Sequence, residues 1–381
     1  MKKVKDANVF QRNDVDLSHA LKTFTNLSNE SAGLHGNIEN FIGWTQIPTG
    51  ITRALLINGD YAKGSFCIPL ATTEGALVAS YSRGCNAVSA SGGATTFISK
   101  EGIQRSPLFK FNTLNEVKLF VLWLNENFVQ FQYLITRHSS HAHLQKMDTV
   151  VEGNVVIVNF DYYTAEAAGQ NMITICTNAI CEAILLDCPI KPQTWYLESN
   201  FSGDKKATAN VLSQVRGKRV SAEAIINKVH LQNVLKTTAK RITDYWQAST
   251  CASIQSGTIG AQGHFANGLA ALYLATGQDV ACVAESAVGM TRMEIVDYDS
   301  LYIAVTLPNI IVGTVGGGTG LYTQSECLKS LNCIGKDSSR KLAEITAALI
   351  LAGELSIAAA LAEGHFASAH QTLGRKNTKI K

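Results

Sequence analysis

Apolar residues change their spacing several times along this chain, and each change predicts an element. Val117, Phe120, Val121, Leu124 and Phe128 recur three and four apart within LNEVKLFVLWLNENFVQF, the stripe of an amphipathic helix. EAAGQNMITICTNAICEAILLD (166–187) carries an Ala, Ile and Leu stripe and predicts a second helix; QGHFANGLAALYLAT (262–276) predicts another, with small residues on one side. INKVHLQNVLKTTAKRITDYWQAST (226–250) predicts one long helix, and the C-terminal third predicts another that ends in a frayed KNTKIK tail. FQYLITRHSS, MDTVVEG, NVVIVNFDYYT and RGKRVSAEAII predict strands, and MEIVDYDSLYIAVTLPNIIVGTVGGGTG two strands and a glycine turn. From Asn40 to Lys100 the texture is of short apolar runs broken by Gly, Pro and Ser, which predicts strands and tight turns. The helix, strands and helix between 107 and 190 predict a compact α+β insert in a larger α+β domain of 38–106 and 191–381, preceded by a polar, weakly helical segment, 1–37, with Leu17, Leu21 and Leu27.

Composition narrows the class. The 381 residues suit two or three domains, and 46% hydrophobic content supplies a large core, which argues against a disordered chain. Charged residues are 17% of the chain and the formal charge is +3, too weak an excess for non-specific nucleic-acid binding. The nine cysteines are scattered without a C-x-x-C pair, as in a cytoplasmic protein with reduced thiols and neither a disulfide framework nor a zinc ribbon. The N-terminus is basic but has no apolar stretch of a signal peptide, and Leu342–Ala362 is interrupted by Glu344 and Glu354, which predicts a buried Ala-rich helix and no membrane span.

No phosphate-loop, G-x-S-x-G, H-E-x-x-H or strand-borne G-x-G-x-x-G motif occurs. Other residues carry candidate chemistry, each with a plainer reading beside it. Glu74 sits in the apolar ATTEGALVAS, where a carboxylate is either a satisfied core group or a proton donor. GDKK joins Asp204 to Lys205 and Lys206, which suits a developing oxyanion or a solvated turn. Asp279 follows a helix, His365 and His370 lie near the end of another, and GTVGGGTG is either an anion nest or a tight turn.

Taken together and in order, ENFIGWTQIPTG (39–50), PLATTEGALVASYSRGC (69–85), DKKATANVL with RGKRVSAEAII (204–226), GHFANGLAALYLATGQD (263–279), PNIIVGTVGGGTGL (308–321) and LAGELSIAAALAEGHFASAH (351–370) resemble the 3-hydroxy-3-methylglutaryl-CoA (HMG-CoA) reductase family. DKKATANV is closer to the class found in animals, plants and archaea, without its membrane anchor. The resemblance implies a large domain with an inserted small ferredoxin-like nucleotide-binding domain, a homodimer or higher oligomer with shared active sites, and two-step reduction of a thioester to mevalonate and CoA by NADPH, with NADH as the alternative. By this resemblance Lys205 would stabilise the thioester oxyanion, Glu74 would donate a proton with its pKa raised by burial beside Asp279, Asp279 would link Glu74 to Lys205, and His370 would protonate the departing thiolate. Arg105 would hold the substrate carboxylate, and Ser80, Arg83, Asp204, Lys206, Lys236, His264 and Asn267 would line the substrate or CoA pocket.

The departures from the family pattern concentrate at the cofactor. D-A-M-G-M-N-M here reads Glu166, Ala167, Ala168, Gly169, Gln170, Asn171 and Met172, and the arginine expected near the 2′-phosphate falls at Ser140. Arg137, His138, His141 and His143 surround it, either as substitutes or as exposed loop residues; no acidic or thiol neighbour makes them a metal site. A family serine appears as Glu198, which would repel a substrate carboxylate; another appears as Ala369, and Arg53 replaces a glycine. Three functions follow as expectations: an HMG-CoA reductase with a drifted cofactor pocket, a reductase of a different CoA- or carrier-bound acyl thioester, and a non-catalytic relative, the last opposed by the presence of Glu74, Lys205, Asp279 and His370 together.

Overall fold

The computed structural model describes residues 34, 36–41 and 43–367, so most of the expected helical segment 1–37, together with Ala369 and His370, lies outside the described residues. Contacts divide the chain at Ile47 and Pro48. Before the division, Phe41 and Trp44 meet edge to face at 5.5 Å.

After it, a short hairpin-like pair, β1 (Thr49–Ile51) and β4 (Pro69–Ala71), flanks β2 (Leu55–Asn58) and β3 (Lys63–Phe66). Helix α1 (Leu77–Ala90) and the long strand β5 (Ala94–Arg105) follow. Next come β6 (Leu108–Lys110), α2 (Leu114–Glu126), α3 (Phe128–His138), β7 (His143–Glu152), β8 (Val155–Tyr163), α4 (Gln170–Asp187) and β9 (Thr194–Tyr196). The chain then builds β10 (Gly217–Ile226), α5 (Ala239–Ser256), β11 (Gly260–Ala261), α6 (Phe265–Thr276), β12 (Gly289–Val296), β13 (Ser300–Ile310), α7 (Tyr322–Ser330) and α8 (Ser338–Ala362).

The insert is ferredoxin-like, as the resemblance implied. Its β-α-β-β-α-β order, with α2 and α3 together filling the first helical place, folds into the strand sequence β9-β6-β8-β7, all neighbours antiparallel. Phe109, Phe120, Phe131, Phe160, Ile173 and Ile180 form its own core. The structure extends the expected bounds of 107–190 at both ends. Residues Ile103–Arg105 of β5 already pair with β8, and β9 closes the sheet at Tyr196. Strand β5 therefore belongs to both domains, because its first half pairs with β10 of the large sheet. That shared strand carries Arg105 to the junction.

The large domain wraps β12, β13, β10 and β5 around α8, whose Leu342–Leu355 stretch is buried throughout. Of the helices described, α8 is the one long and apolar enough to cross a membrane, and most of it is core. Its two carboxylates are satisfied by backbone donors. Glu344 accepts the N–H groups of Asp60, Tyr61 and Ala62 at 3.2, 2.9 and 2.6 Å, and Glu354 does the same at the loop before α6. Helix α1 lies so close to α8 that a Cβ on Gly84 would stand 1.9 Å from the Ala352 carbonyl oxygen.

Several expected elements change. The 40–100 stretch contains α1, whose buried face of Leu77, Tyr81, Gly84, Cys85 and Val88 has helical spacing hidden among Ser and Ala. FQYLITRHSS lies mostly in α3, where burial of Phe131 and Ile135, four apart, overrides its β-branched composition. The long helix expected from 226 breaks at Lys236 (φ 58°) and restarts where Thr238 accepts the Arg241 N–H. The C-terminal helix is two helices, separated by left-handed residues at Asn332, Gly335 and Asp337.

Candidate active site

Most of the expected site residues fall into two groups at opposite ends of α6. The first lies where the inserted domain meets the large one. A loop after β9 carries Glu198, Asp204, Lys205 and Lys206, with Lys205 in the left-handed region at φ 57°. Lys205 Nζ pairs with Asp279 Oδ2 at 2.9 Å, and that hydrogen bond raises the lysine pKa. Asp279 also accepts the Ala281 N–H at 3.0 Å, so its carboxylate is fixed by the turn that follows α6. Lys206 donates to the Asp204 carbonyl at 3.0 Å.

Beneath this loop runs a buried chain of charges that sequence reasoning missed in part. Arg216 donates to Asp204 Oδ1 at 2.6 Å, to Glu285 Oε2 at 2.7 Å and to the Gln104 carbonyl at 2.9 Å. Glu285 in turn accepts the backbone N–H of Lys205 at 3.0 Å. Arg216 and Glu285 are 1% and 0% exposed, so an arginine in R-G-K-R and a glutamate in V-A-E-S act as the loop's foundation; the small and apolar residues around Glu285 hinted at its burial. Burial pushes the Glu285 carboxyl up against the opposing pull of Arg216. Burial acts likewise on Asp204, but Arg216 and Arg105 overcome it and hold that carboxyl below its ordinary range.

Arg105, expected to hold the substrate carboxylate, is paired with two carboxylates of this chain. Its Nη1 donates to Glu198 Oε2 at 3.0 Å and to Asp204 Oδ2 at 3.1 Å, while its buried Nε has no partner among the described residues. Glu198 is thus a neutralising partner of Arg105, and it also takes the Asn200 N–H and the Ser202 hydroxyl.

An open cleft of about 1350 Å³ adjoins Lys205 and Asp279. Ala167, Gly169, Gln170, Asn171 and Met172 line one wall and the glycine-rich Gly313–Gly318 turn the other. Gly169 (φ 86°) opens α4, whose N-terminus faces the cleft, and a Cβ there would meet Thr164 Oγ1 at 2.5 Å. Gly316 and Gly317 have positive φ with open space where a Cβ would be, which leaves bare backbone toward the cleft. These features fit the phosphates of a dinucleotide. Gln170 departs from a simple lining role: its Nε2 donates to Cys282 Sγ at 2.7 Å, tying the insert to the Asp279 turn. Glu166 departs further. Its carboxylate accepts the N–H groups of Asp337 and Ser339 at 2.7 and 2.8 Å and so caps α8, which is why it points away from the cleft. Ser140 does not line the cleft; it is exposed with His141 in the α3–β7 loop. The pairing of His143 with Tyr163 nevertheless brings that loop to the sheet end from which Glu166–Met172 departs.

The second group surrounds a cleft of about 1210 Å³ between α1, α6 and the end of α8. It contains Glu74, Ser80, Arg83, His264 and Asn267. Arg83 is held by Ser356: Nε and Nη2 donate to its hydroxyl at 3.1 and 2.9 Å, and Nη2 to its carbonyl at 2.6 Å. The Ser80 hydroxyl lies 2.9 Å from the same Ser356 Oγ. Glu74 corrects an expectation. It is exposed and accepts from Asn267 Nδ2 at 3.1 Å, with neither burial nor Asp279 beside it in this chain. Lys236 is exposed outside both clefts, next to Thr237, which donates to Glu363 at 2.8 Å beyond the end of α8. Among the described residues no cluster of His, Cys, Asp and Glu could hold a metal ion.

Comparison with known proteins agrees with this architecture. The family model described as hydroxymethylglutaryl-coenzyme A reductase matches residues 4–375. The 3-hydroxy-3-methylglutaryl-coenzyme A reductase of Methanocaldococcus jannaschii is 41% identical over 91% of this chain and 86% of its own. That of Aeropyrum pernix is 42% identical over 90% and 83%. A class II enzyme of that name from Streptococcus pneumoniae, solved with NADPH bound, superimposes with a TM-score of 0.70 at 20% identity over 87% of this chain and 89% of that one.

Proposed function

Because the chain belongs to the hydroxymethylglutaryl-coenzyme A reductase family, we propose that it reduces HMG-CoA to mevalonate and CoA with a nicotinamide cofactor, at sites that two copies build together. The observation that carries the shared site is the separation of Glu74 from Asp279. They flank opposite ends of α6, a helix of 12 residues. At ~1.5 Å per residue, that helix keeps them roughly 18 Å apart. No proton can pass between them within one chain. A second copy related by a twofold axis brings the Glu74 cleft of one subunit against the Lys205 cleft of the other.

In that arrangement the Lys205 ammonium, kept charged by Asp279, stabilises the oxyanion that develops on the thioester carbonyl. Glu74 delivers the proton to that oxygen, with Asn267 holding its carboxyl group. His370 protonates the departing CoA thiolate, and Ser80, Arg83 and His264 line the thioester's channel. Asp204 and Glu285 keep the lysine loop in place through Arg216. A nicotinamide dinucleotide would be held by Gly169–Met172 and Gly313–Gly317, and when bound supplies the hydride for both reductions. NADPH is favoured over NADH because Arg137 and His138 at the end of α3, His141 in the loop and His143 at the start of β7 flank Ser140 beside that segment. If the loop meets the 2′-phosphate, Ser140→Arg lowers KM for NADPH and leaves KM for NADH unchanged.

Glu198 supports a second reading. With Arg105 Nη1 already held by two carboxylates, an acyl thioester lacking a free carboxylate, on CoA or a carrier protein, also suits the cleft.

Mixing two inactive variants tests the shared site. Glu74→Ala and Asp279→Ala subunits, unfolded and refolded together, form heterodimers with one intact site, so about a quarter of wild-type activity returns. No recovery from a refolded mixture would refute it.

A further inference from the structure

Helix α8 is core for most of its length, yet it lends Glu354 to the loop that opens the Glu74 cleft. The Glu354 side chain is 3% exposed and accepts four hydrogen bonds. Oε2 takes the Gly263 N–H at 2.7 Å and the Thr291 hydroxyl at 2.9 Å; Oε1 takes the His264 N–H at 2.7 Å and faces His264 Nδ1 at 3.1 Å. Burial alone would raise this carboxyl, but the His264 contacts and the backbone donors bring it below its ordinary range. An ionised carboxylate only accepts, so Nδ1 of His264 must carry the hydrogen, and Nε2 is the ring nitrogen left without a contact to Glu354.

The ring has little freedom to turn. It stacks on Tyr81 at 5.9 Å, and Tyr81 fits only because residues 268 and 353 are glycines, where a Cβ would come within 2.2 and 2.4 Å of the tyrosine. His264 lines the cleft with Glu74, Ser80, Arg83 and Asn267.

We propose that Glu354 is a positioning residue for substrate binding: by holding His264 as the Nδ1–H tautomer, it sets Nε2 as a hydrogen-bond acceptor for an N–H or O–H of the bound acyl thioester. The proposal rests on reading this cleft as the thioester site. Ser356, two residues on, accepts from Arg83, so α8 holds both basic side chains of the cleft.

Nitrogen NMR of the whole protein labelled with ¹⁵N-histidine tests it, the His264 signals being those lost in His264→Asn. The expected wild-type spectrum has a protonated Nδ1 and a bare Nε2, and HMG-CoA shifts the Nε2 signal. A protonated Nε2 in the wild type overturns the proposal without need of any further variant. A bare Nε2 that answers neither to HMG-CoA nor to CoA overturns its role in binding. If CoA shifts Nε2 but HMG-CoA is not turned over, the positioning role stands and the assigned acyl group falls. Kinetically, Glu354→Gln loses the tautomer preference and raises KM for the thioester about tenfold, as expected for one hydrogen bond, with kcat and KM for the nicotinamide cofactor nearly unchanged. Equal effects on both KM values would mark a merely structural role.

Discussion

Replacing Glu285 by alanine gives the sharpest perturbation of the lysine loop. Its carboxylate is fully buried and serves two donors, Arg216 Nε at 2.7 Å and the Lys205 N–H at 3.0 Å. Truncation leaves the guanidinium of the buried Arg216 without one of its three acceptors. Breaking a buried pair from one side costs about 3–5 kcal/mol. Because Arg216 keeps Asp204 and the Gln104 carbonyl, the lower figure, about 3 kcal/mol, applies here. At about 2.1 cal/mol/K of unfolding entropy per residue, a 381-residue chain shifts by about 1.3 °C per kcal/mol, so the melting temperature should fall by about 4 °C. The backbone of Lys205, left-handed at φ 57°, loses its acceptor at the same time, so kcat should drop even well below the new melting temperature. Differential scanning calorimetry and initial rates at 25 °C measure the two effects. Glu285→Gln keeps an acceptor for Lys205 and should retain more activity than Glu285→Ala. A melting shift under about 2 °C would refute the energetic argument. A large shift with unchanged kcat would refute the link from Glu285 to Lys205.

Lys205→Ala should behave in the opposite way. Its ion pair is nearly half exposed, so stability in urea should change by less than about 1 kcal/mol while kcat falls at least about a hundredfold. Asp161 gives a pH prediction. Burial raises its carboxyl to about 6, and its Oδ1 has no hydrogen-bond partner among the described residues. A raised acid contributes stability below its unfolded pKa and loses it as pH rises through the folded value, so about 3 kcal/mol should disappear between about pH 4 and pH 7. Asp161→Asn should flatten that part of the urea-stability profile; an unchanged profile would exclude the buried acid. Gly84→Ala should lower stability by about 1–3 kcal/mol, since its Cβ would press on the Ala352 carbonyl and push α1, with Ser80 and Arg83, away from Ser356. A melting curve like the wild type would contradict the close packing.

Fold class, insert and glycine turn were legible because each leaves a periodic or conformational trace: the stripe at Val117–Phe128, the two-strand run 293–310, the positive φ at Gly316. Helix α1 was not, because serine and alanine supply no contrast on its outer face. The roles of Arg216, Glu285 and Glu354 depend on partners 69, 80 and 90 residues away, distances over which no spacing rule operates. The sequence placed Glu74 and Asp279 in one network by resemblance; the length of α6 separates them within a chain, which local pattern cannot reveal. Glu166 misled because a carboxylate beside a nucleotide-loop glycine is equally suited to cap a distant helix.

The central claim is tested most directly by following nicotinamide absorbance near 340 nm with purified protein and HMG-CoA, NADPH and NADH in parallel, and identifying the product. Oxidation of about two cofactors per mevalonate formed, faster with NADPH, is the predicted result. No oxidation with either cofactor, from folded protein that still binds CoA, would contradict it and shift the assignment to another acyl thioester.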